Sequence, residues 1–284
     1  MKIIECPRDA MQGIGEFIPT EKKIKYLNQL LKIGFDTIDF GSFVSPKVIP
    51  QLRDTADVLK GLNLDETNSK LLAIIANKRG AEDALKFQEI DYLGFPFSIS
   101  ETFQQRNTNK SILEALNSLN EIQELCVKNN RVLVSYISMG FGNPYGDPFD
   151  EEIVAKFTGI LKSMGITIIS LADTIGVSDR DNITYLFENL INDHPDVEFG
   201  AHLHSNPNTA RDKIKYAYQA GCRRFDGAIR GFGGCPMAKD DLVGNIATEQ
   251  IVSYLEAEGL DLGINKLEFD NSVVASSAVF DHYH

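Results

Sequence analysis

Short apolar runs alternate with longer amphipathic stretches along the whole sequence, and this alternation limits the fold more than any other feature. Candidate strands are Lys2–Cys6, Thr37–Ser42, Leu71–Ala76, Ile90–Phe95, Arg131–Ser138, Thr167–Thr174, Glu198–His204 and Arg224–Arg230. Helical patterns fall between them, at Thr20–Ile33, Pro46–Lys60, Lys78–Phe87, Ser111–Asn129, Asp150–Met164, Arg180–Asn192, Pro207–Ala220 and Ile246–Glu258. Thr20, and Ser45 followed by Pro46, read as helix starts. Gly34, Gly165 and Gly221 read as helix stops, because glycine accepts the left-handed backbone of a helix end. Strict alternation predicts parallel strands with helices outside. About eight such units predict a closed (β/α)8 TIM barrel. A doubly wound open sheet competes, but it needs fewer strands or a second domain, and no linker is visible. Residues 1–284 are expected to form one catalytic domain, with 263–284 as a C-terminal helical extension or a dimer element.

Hydrophobic residues make up 43% of the 284, enough for a sizeable core. The formal net charge of -12 disfavours nucleic acid and anionic membrane as partners. It leaves room for a phosphorylated ligand at a local basic cluster. Cys6, Cys126, Cys222 and Cys235 match neither a zinc motif nor a disulfide framework. Reduced thiols, with no signal peptide and no membrane-spanning run, predict a soluble cytoplasmic protein.

A barrel of this kind places its chemistry at the C-terminal ends of the strands. His202 and His204 end the seventh strand two residues apart, so both imidazoles face one side. Asp9 ends the first strand beside Arg8, and Asn245 follows the eighth. Two imidazoles with carboxylate and amide oxygens suit an octahedral divalent ion with positions left for substrate. Each residue also has a plainer role: core histidines, an Arg–Asp pair, a helix cap at Asn245. Arg8 beside a carboxylate suits an oxyanion, to which guanidinium donates paired hydrogen bonds. Cys235 lies in GFGGCP, where three glycines allow close approach to a ligand, and reads as a thiol for proton transfer or covalent work. The same glycines do not complete a dinucleotide-binding fingerprint, since Pro236 occupies the last position.

CPRDAMQG near the N-terminus, SFVSPK at 42–47, ADTIGV at 172–177, HLH at 202–204 and GFGGCP followed by GNIATE resemble the hydroxymethylglutaryl-CoA lyase family. That family belongs to the DRE-TIM metallolyases, and the resemblance runs to about Gly259. It implies a TIM barrel that cleaves 3-hydroxy-3-methylglutaryl-CoA to acetyl-CoA and acetoacetate with Mg²⁺ or Mn²⁺, and a homodimer. Carried onto this sequence, Asp9, His202, His204 and Asn245 resemble the metal ligands. Arg8 resembles the enolate-stabilising arginine, and Cys235 the catalytic loop thiol. Asp39 stands where the family has an active-site glutamate, while Gln12 and Asp173 match polar positions near substrate. Asp9 or His202 is the implied base.

Three departures fall around the substrate end: Asp39 for glutamate, Ser205 for the aspartate after HxH, and Asn143 for a cysteine in the loop after the fifth strand. They keep open a lyase for another 3-hydroxyacyl-CoA, a metal-dependent enzyme condensing an acyl-CoA with a 2-oxo acid, and a catalytically silent binding barrel.

Overall fold

The computed structural model describes residues 1–234 and 243–282. Eight parallel strands close in sequence order: β1 Lys2–Glu5, β2 Thr37–Ser42, β3 Lys70–Ile74, β4 Tyr92–Ser98, β5 Val132–Ser138, β6 Ile168–Asp173, β7 Glu198–Leu203 and β8 Arg224–Gly227. β1 completes the ring against β8, with Ile4 opposite Asp226 and Glu5 opposite Gly227. Around the strands lie α1 Pro7–Gln12, α2 Thr20–Leu30, α3 Thr55–Lys60, α4 Lys78–Ala84, α5 Glu101–Thr108, α6 Ile112–Lys128, α7 Glu151–Ser163, α8 Arg180–Asp193, α9 Ala210–Gln219, α10 Thr248–Ala257 and α11 Lys266–Phe280. This is the (β/α)8 barrel with a C-terminal helix that the alternation requires. No helix among the described residues is long and apolar enough to cross a membrane.

Successive strand residues face opposite sides. Leu72, Ile74, Tyr92, Val134, Tyr136 and Ile168 pack together inside the ring, while the alternate residues join the shell between strands and helices. Charge also enters the interior. A Cβ on Gly200 would lie 2.8 Å from Ser170 Oγ and 3.1 Å from Arg224 Cδ, so glycine lets β7 pass beside a buried arginine.

Local chemistry explains most helix boundaries. Ser111 and Glu114 form a reciprocal capping box at the start of α6, and Asp150 and Asp179 accept backbone N–H groups at α7 and α8. Gly34, Gly165 and Gly221 have φ of +89°, +85° and +97°, the left-handed backbone expected of helix stops.

Elsewhere the elements differ from expectation. Pro46–Lys60 is not one helix. Pro50 lacks an N–H and pushes Ile49 to φ -125°, ψ 80°, so a turn and a short 3-10 segment, Pro50–Leu52, precede α3. Thr20 does not cap α2; Pro19 holds the cap position, and Thr20 Oγ1 donates to Asp54 Oδ2 at 2.8 Å. β8 stops at Gly227 rather than Arg230, which adopts φ +63° within the turn Ile229–Gly231. Two helices, α1 and α5, occupy stretches that carried no helical expectation.

The tail packs on the barrel. Tyr26 on α2 meets Phe280 on α11 edge to face at 5.8 Å, and Phe35 meets Phe269 at 6.2 Å. Phe280 also stacks on Phe232 at 4.6 Å, so α11 reaches the loop that follows β8. Phe280 is fully buried, and Phe280→Ala is expected to cost about 3–5 kcal/mol, checked by urea denaturation.

Glu5 is fully buried beneath this loop. Its carboxylate accepts from Ile229 N at 2.8 Å and from Thr248 Oγ1 at 2.5 Å. Burial pushes its pKa from 4.5 to about 8, against the pull of those two hydrogen bonds. The folded chain therefore holds the proton more tightly than the unfolded one. The stability this contributes is full below 4.5 and is lost as pH rises through about 8. Glu5→Gln is expected to flatten the fall in denaturation midpoint between about pH 5 and 8 relative to the unchanged protein.

Candidate active site

The C-terminal rim is assembled first from α1. Pro7 suits its first position, where no N–H is needed. On a helix, residues three and four apart share a face. This places Arg8, Asp9 and Gln12 together, a juxtaposition that placing Arg8 and Asp9 at a strand end did not contain. Arg8 Nη1 donates to Asp9 Oδ1 at 2.9 Å and to Gln12 Oε1 at 2.8 Å, and Gln12 Nε2 donates to Asp9 Oδ1 at 2.6 Å.

β7 brings the histidines to the same place. Asp9, His202 and His204 each offer a ligand atom within 4.8 Å of the others. His204 is 3% exposed, and neither of its ring nitrogens has a hydrogen-bond partner among the described residues. Such orphaned buried atoms are costly, and a coordinate bond would relieve the cost at one of the two nitrogens. Burial, then the neighbouring His202 charge, pushes the His204 pKa down to about 4, so the ring is neutral at pH 7, the form that binds metal. Burial would also lower His202, but the hydrogen bond and charge of Asp226, then Asp9, leave its pKa raised. Asp9 is opposed by burial yet held at about 2 by Arg8, the two histidines and Asn245, so it is ionised. One carboxylate and two imidazoles around an unsatisfied buried ring fit a divalent cation.

Asn245 reaches the same group, bridged by backbone to His204. The expected ligand atom was its amide oxygen. Here the amide nitrogen meets Asp9, donating to Oδ2 at 2.6 Å and to the Phe232 carbonyl at 2.9 Å. A carboxylate oxygen only accepts, so it draws the donor branch of the amide. In this arrangement Asn245 braces Asp9.

Asp39 has no exposed surface and lies behind Arg8, not on the cleft. Arg8 Nε donates to its Oδ2 at 2.9 Å and Nη2 to the same oxygen at 2.5 Å. The shorter side chain thus still engages the guanidinium. Burial pushes the Asp39 pKa up to about 6, against the Arg8 charge and hydrogen bond, whereas the Arg8 pKa is raised by its two carboxylates despite burial. A guanidinium has five N–H donors. The bonds to Asp39, Asp9 and Gln12 engage Nε, both hydrogens of Nη1 and one of Nη2. Among the described residues, one Nη2 hydrogen has no acceptor.

A cleft of about 820 Å³, open to solvent, lies over these groups. Arg8, Asp9, Gln12, His202 and His204 line one end, and Val44, Val48, Ile49, Ile74 and Phe103 supply an apolar wall. Asp173 is set behind the wall formed by its neighbours Ala172 and Thr174. Its carboxylate accepts from Val177 N at 2.8 Å, Ser178 N at 3.0 Å and Lys213 Nζ at 2.7 Å, and so shapes the loop after β6. Cys235 lies outside the described residues.

The other departures build local structure. Asn143 Oδ1 accepts from Tyr145 N and Asp147 N at 3.0 and 3.1 Å, forming a side-chain-stabilised turn. Asp147 then accepts from Thr102 N at 2.8 Å, anchoring α5. Ser205 Oγ lies 2.8 Å from Thr209 Oγ1. The cleft residues of α5, Phe103, Asn107 and Thr108, carried no expectation. Their signal was Ser100 with Glu101 after it, a helix start whose side chain does accept from Phe103 N. Asp226, a carboxylate in a buried strand, was likewise passed over.

An eight-stranded parallel barrel with a carboxylate, two histidines and a caged arginine at its C-terminal rim is the arrangement of a TIM-barrel enzyme with a candidate divalent-metal group. A family model described as HMGL-like matches residues 2–272, and the chain belongs to this family. It is 37% identical over 262 residues to hydroxymethylglutaryl-CoA lyase YngG of Bacillus subtilis, covering 92% of this chain and 86% of that one. An HMG-CoA lyase structure from Brucella melitensis superimposes with a TM-score of 0.91 at 29% identity, covering 99% of this chain and 98% of that chain. Another, from Acinetobacter baumannii in complex with coenzyme A and 3-methylmalate, gives 0.90 at 29% identity over 98% and 90%.

Asp39→Ala would leave Arg8 buried without its main counter-charge. The expected loss is about 3 kcal/mol or more, with Asp39→Glu retaining most of the stability, checked by chemical denaturation.

Proposed function

We propose that this chain is a divalent-metal-dependent carbon–carbon lyase that cleaves 3-hydroxy-3-methylglutaryl-CoA to acetyl-CoA and acetoacetate. The carrying observation is that Arg8 and the Asp9–His202–His204 group line one cleft. The names of the relatives support the substrate. Asp9, His202 and His204, with the Asn245 amide oxygen once the amide is turned, would hold Mg²⁺ or Mn²⁺. Such an ion supplies a Lewis acid that makes the substrate's C3 hydroxyl more acidic.

The chain's own residues account for the rest. The resemblance leaves Asp9 or His202 as the base. A His202 that gives Nε2 to the cation and carries hydrogen on Nδ1 has no free lone pair. Asp9 therefore accepts the C3 hydroxyl proton, and the oxygen's electron pair forms the ketone of acetoacetate. The C2–C3 bond breaks, and its electrons pass to the thioester as an enolate. Arg8 donates to that enolate oxygen. C2 then takes a proton, the role the resemblance gives to Cys235. Asp39 and Gln12 keep the guanidinium oriented, and Asp173 supports the loop at the cleft edge.

The apolar wall, together with Asp39, Ser205 and Asn143, favours a second reading in which the lyase acts on a different 3-hydroxyacyl-CoA. We also read residues 1–284 as one catalytic domain of a homodimer, from the resemblance. Free thiols at Cys6, Cys126 and Cys222 support reading the protein as cytoplasmic.

Incubation with the CoA thioester and Mn²⁺ is expected to release acetoacetate. EDTA should abolish turnover and added Mn²⁺ restore it. Arg8→Lys should lower kcat by about 100-fold or more, the scale of losing an oxyanion donor. Turnover of another 3-hydroxyacyl-CoA with none of this substrate would establish the second reading.

A further inference from the structure

We propose that Asp226 is a positioning residue: it locks His202 in a single tautomer and so sets how tightly the site holds its divalent cation. The inference rests on the reading of His202 as a metal ligand. Asp226 sits on β8, next to β7 in the ring, and is 3% exposed. Its Oδ2 lies 3.1 Å from His202 Nδ1. It is absent from the cleft lining, so it acts through His202 and not on substrate.

The tautomer follows from chemistry. An ionised carboxylate can only accept, so Nδ1 must carry the hydrogen and Nε2 keeps its lone pair for a cation. Tyr136 packs edge-on against the His202 ring, with centroids 5.5 Å apart and planes at 79°, and limits its rotation. The charge that Asp226 needs is supplied from below. Arg224, two residues earlier on the same face of β8, acts electrostatically on Asp226. Arg224 Nη1 bonds Glu198 Oε1 at 3.0 Å, while its Nε and Nη2, like Asp226 Oδ1, have no hydrogen-bond partner among the described residues. A guanidinium thus shares the barrel interior with the carboxylate and offsets the cost of burying it. A carboxylate behind a metal-binding imidazole fixes the ring and strengthens the facing nitrogen as a donor.

A different arrangement is open to the same atoms. Cys6, His202 and Asp226 also offer ligand atoms within 4.8 Å of one another, so a cation on the Nδ1 side would make Asp226 a ligand. The test measures Mn²⁺ dissociation constants by calorimetry for the unchanged protein, Asp226→Asn and Cys6→Ser. It adds ¹⁵N spectra of the imidazoles in metal-free protein and thermal unfolding as a folding check. The expected result is Nδ1–H for His202 in the unchanged protein and Mn²⁺ affinity about 10–100-fold weaker in Asp226→Asn, with Cys6→Ser unaffected. An Nε2–H tautomer in the unchanged protein overturns the proposal without any substitution. So does equal Mn²⁺ affinity in folded Asp226→Asn, or an equal loss in both variants. If the unchanged protein binds no Mn²⁺ while His202 is Nδ1–H, the metal reading fails but the Asp226 hydrogen bond stands.

Discussion

Burying a guanidinium costs several kcal/mol unless carboxylates surround it, and the rim of this barrel is organised to meet that requirement at Arg8. Asp39 comes from β2, Asp9 and Gln12 from α1, and all converge on one side chain. The cage then determines what its members can do. Asp9 is kept ionised beside the histidines, and four of the five guanidinium hydrogens are engaged by the cage. The electrostatics of the candidate metal group therefore depend on the arginine pair as much as on the histidines.

Much of this was legible in the sequence because it depended on short-range rules. Alternation gave the parallel ring, and the i,i+2 spacing of His202 and His204 put both rings on one face. Glycine stops appeared where a left-handed residue was needed. What stayed hidden depended on competition or distance. Pro50 overrode a helical pattern that started plausibly at Pro46. The helix over Pro7–Gln12 is too short for periodicity to reveal, yet it is what brings Gln12 to Arg8. Asp173 looked like a rim residue from its place at the end of β6. Only the structure supplies Lys213, forty residues on, which turns the carboxylate into a loop support. Asp226 sat unremarked in a strand because its partner is on the neighbouring strand.

One departure from the family pattern, Asn143, works in the loop after β5, whereas Asp39 bonds Arg8 directly. Asn143 and Asp147 fasten the loop after β5 to the start of α5, and α5 in turn carries Phe103 to the cleft. Variation in these positions can therefore reshape the far wall of the cleft while the chemistry at Arg8 and Asp9 is untouched. This separation is what a TIM barrel offers: rigid strand ends on one side, adjustable loops on the other.

Phe280 leans on Phe232, and the Phe232 carbonyl takes the Asn245 amide that also grips Asp9. During synthesis Asp9 leaves the ribosome well before its brace Asn245, which lies 236 residues on, and α11 follows later still. For most of translation a nascent barrel would carry an unfastened mouth, with its charges reachable by water and by stray cations. The order of synthesis thus leaves Asp9 without its brace until Asn245 is made, and leaves Phe232 without its stacking partner until α11 follows.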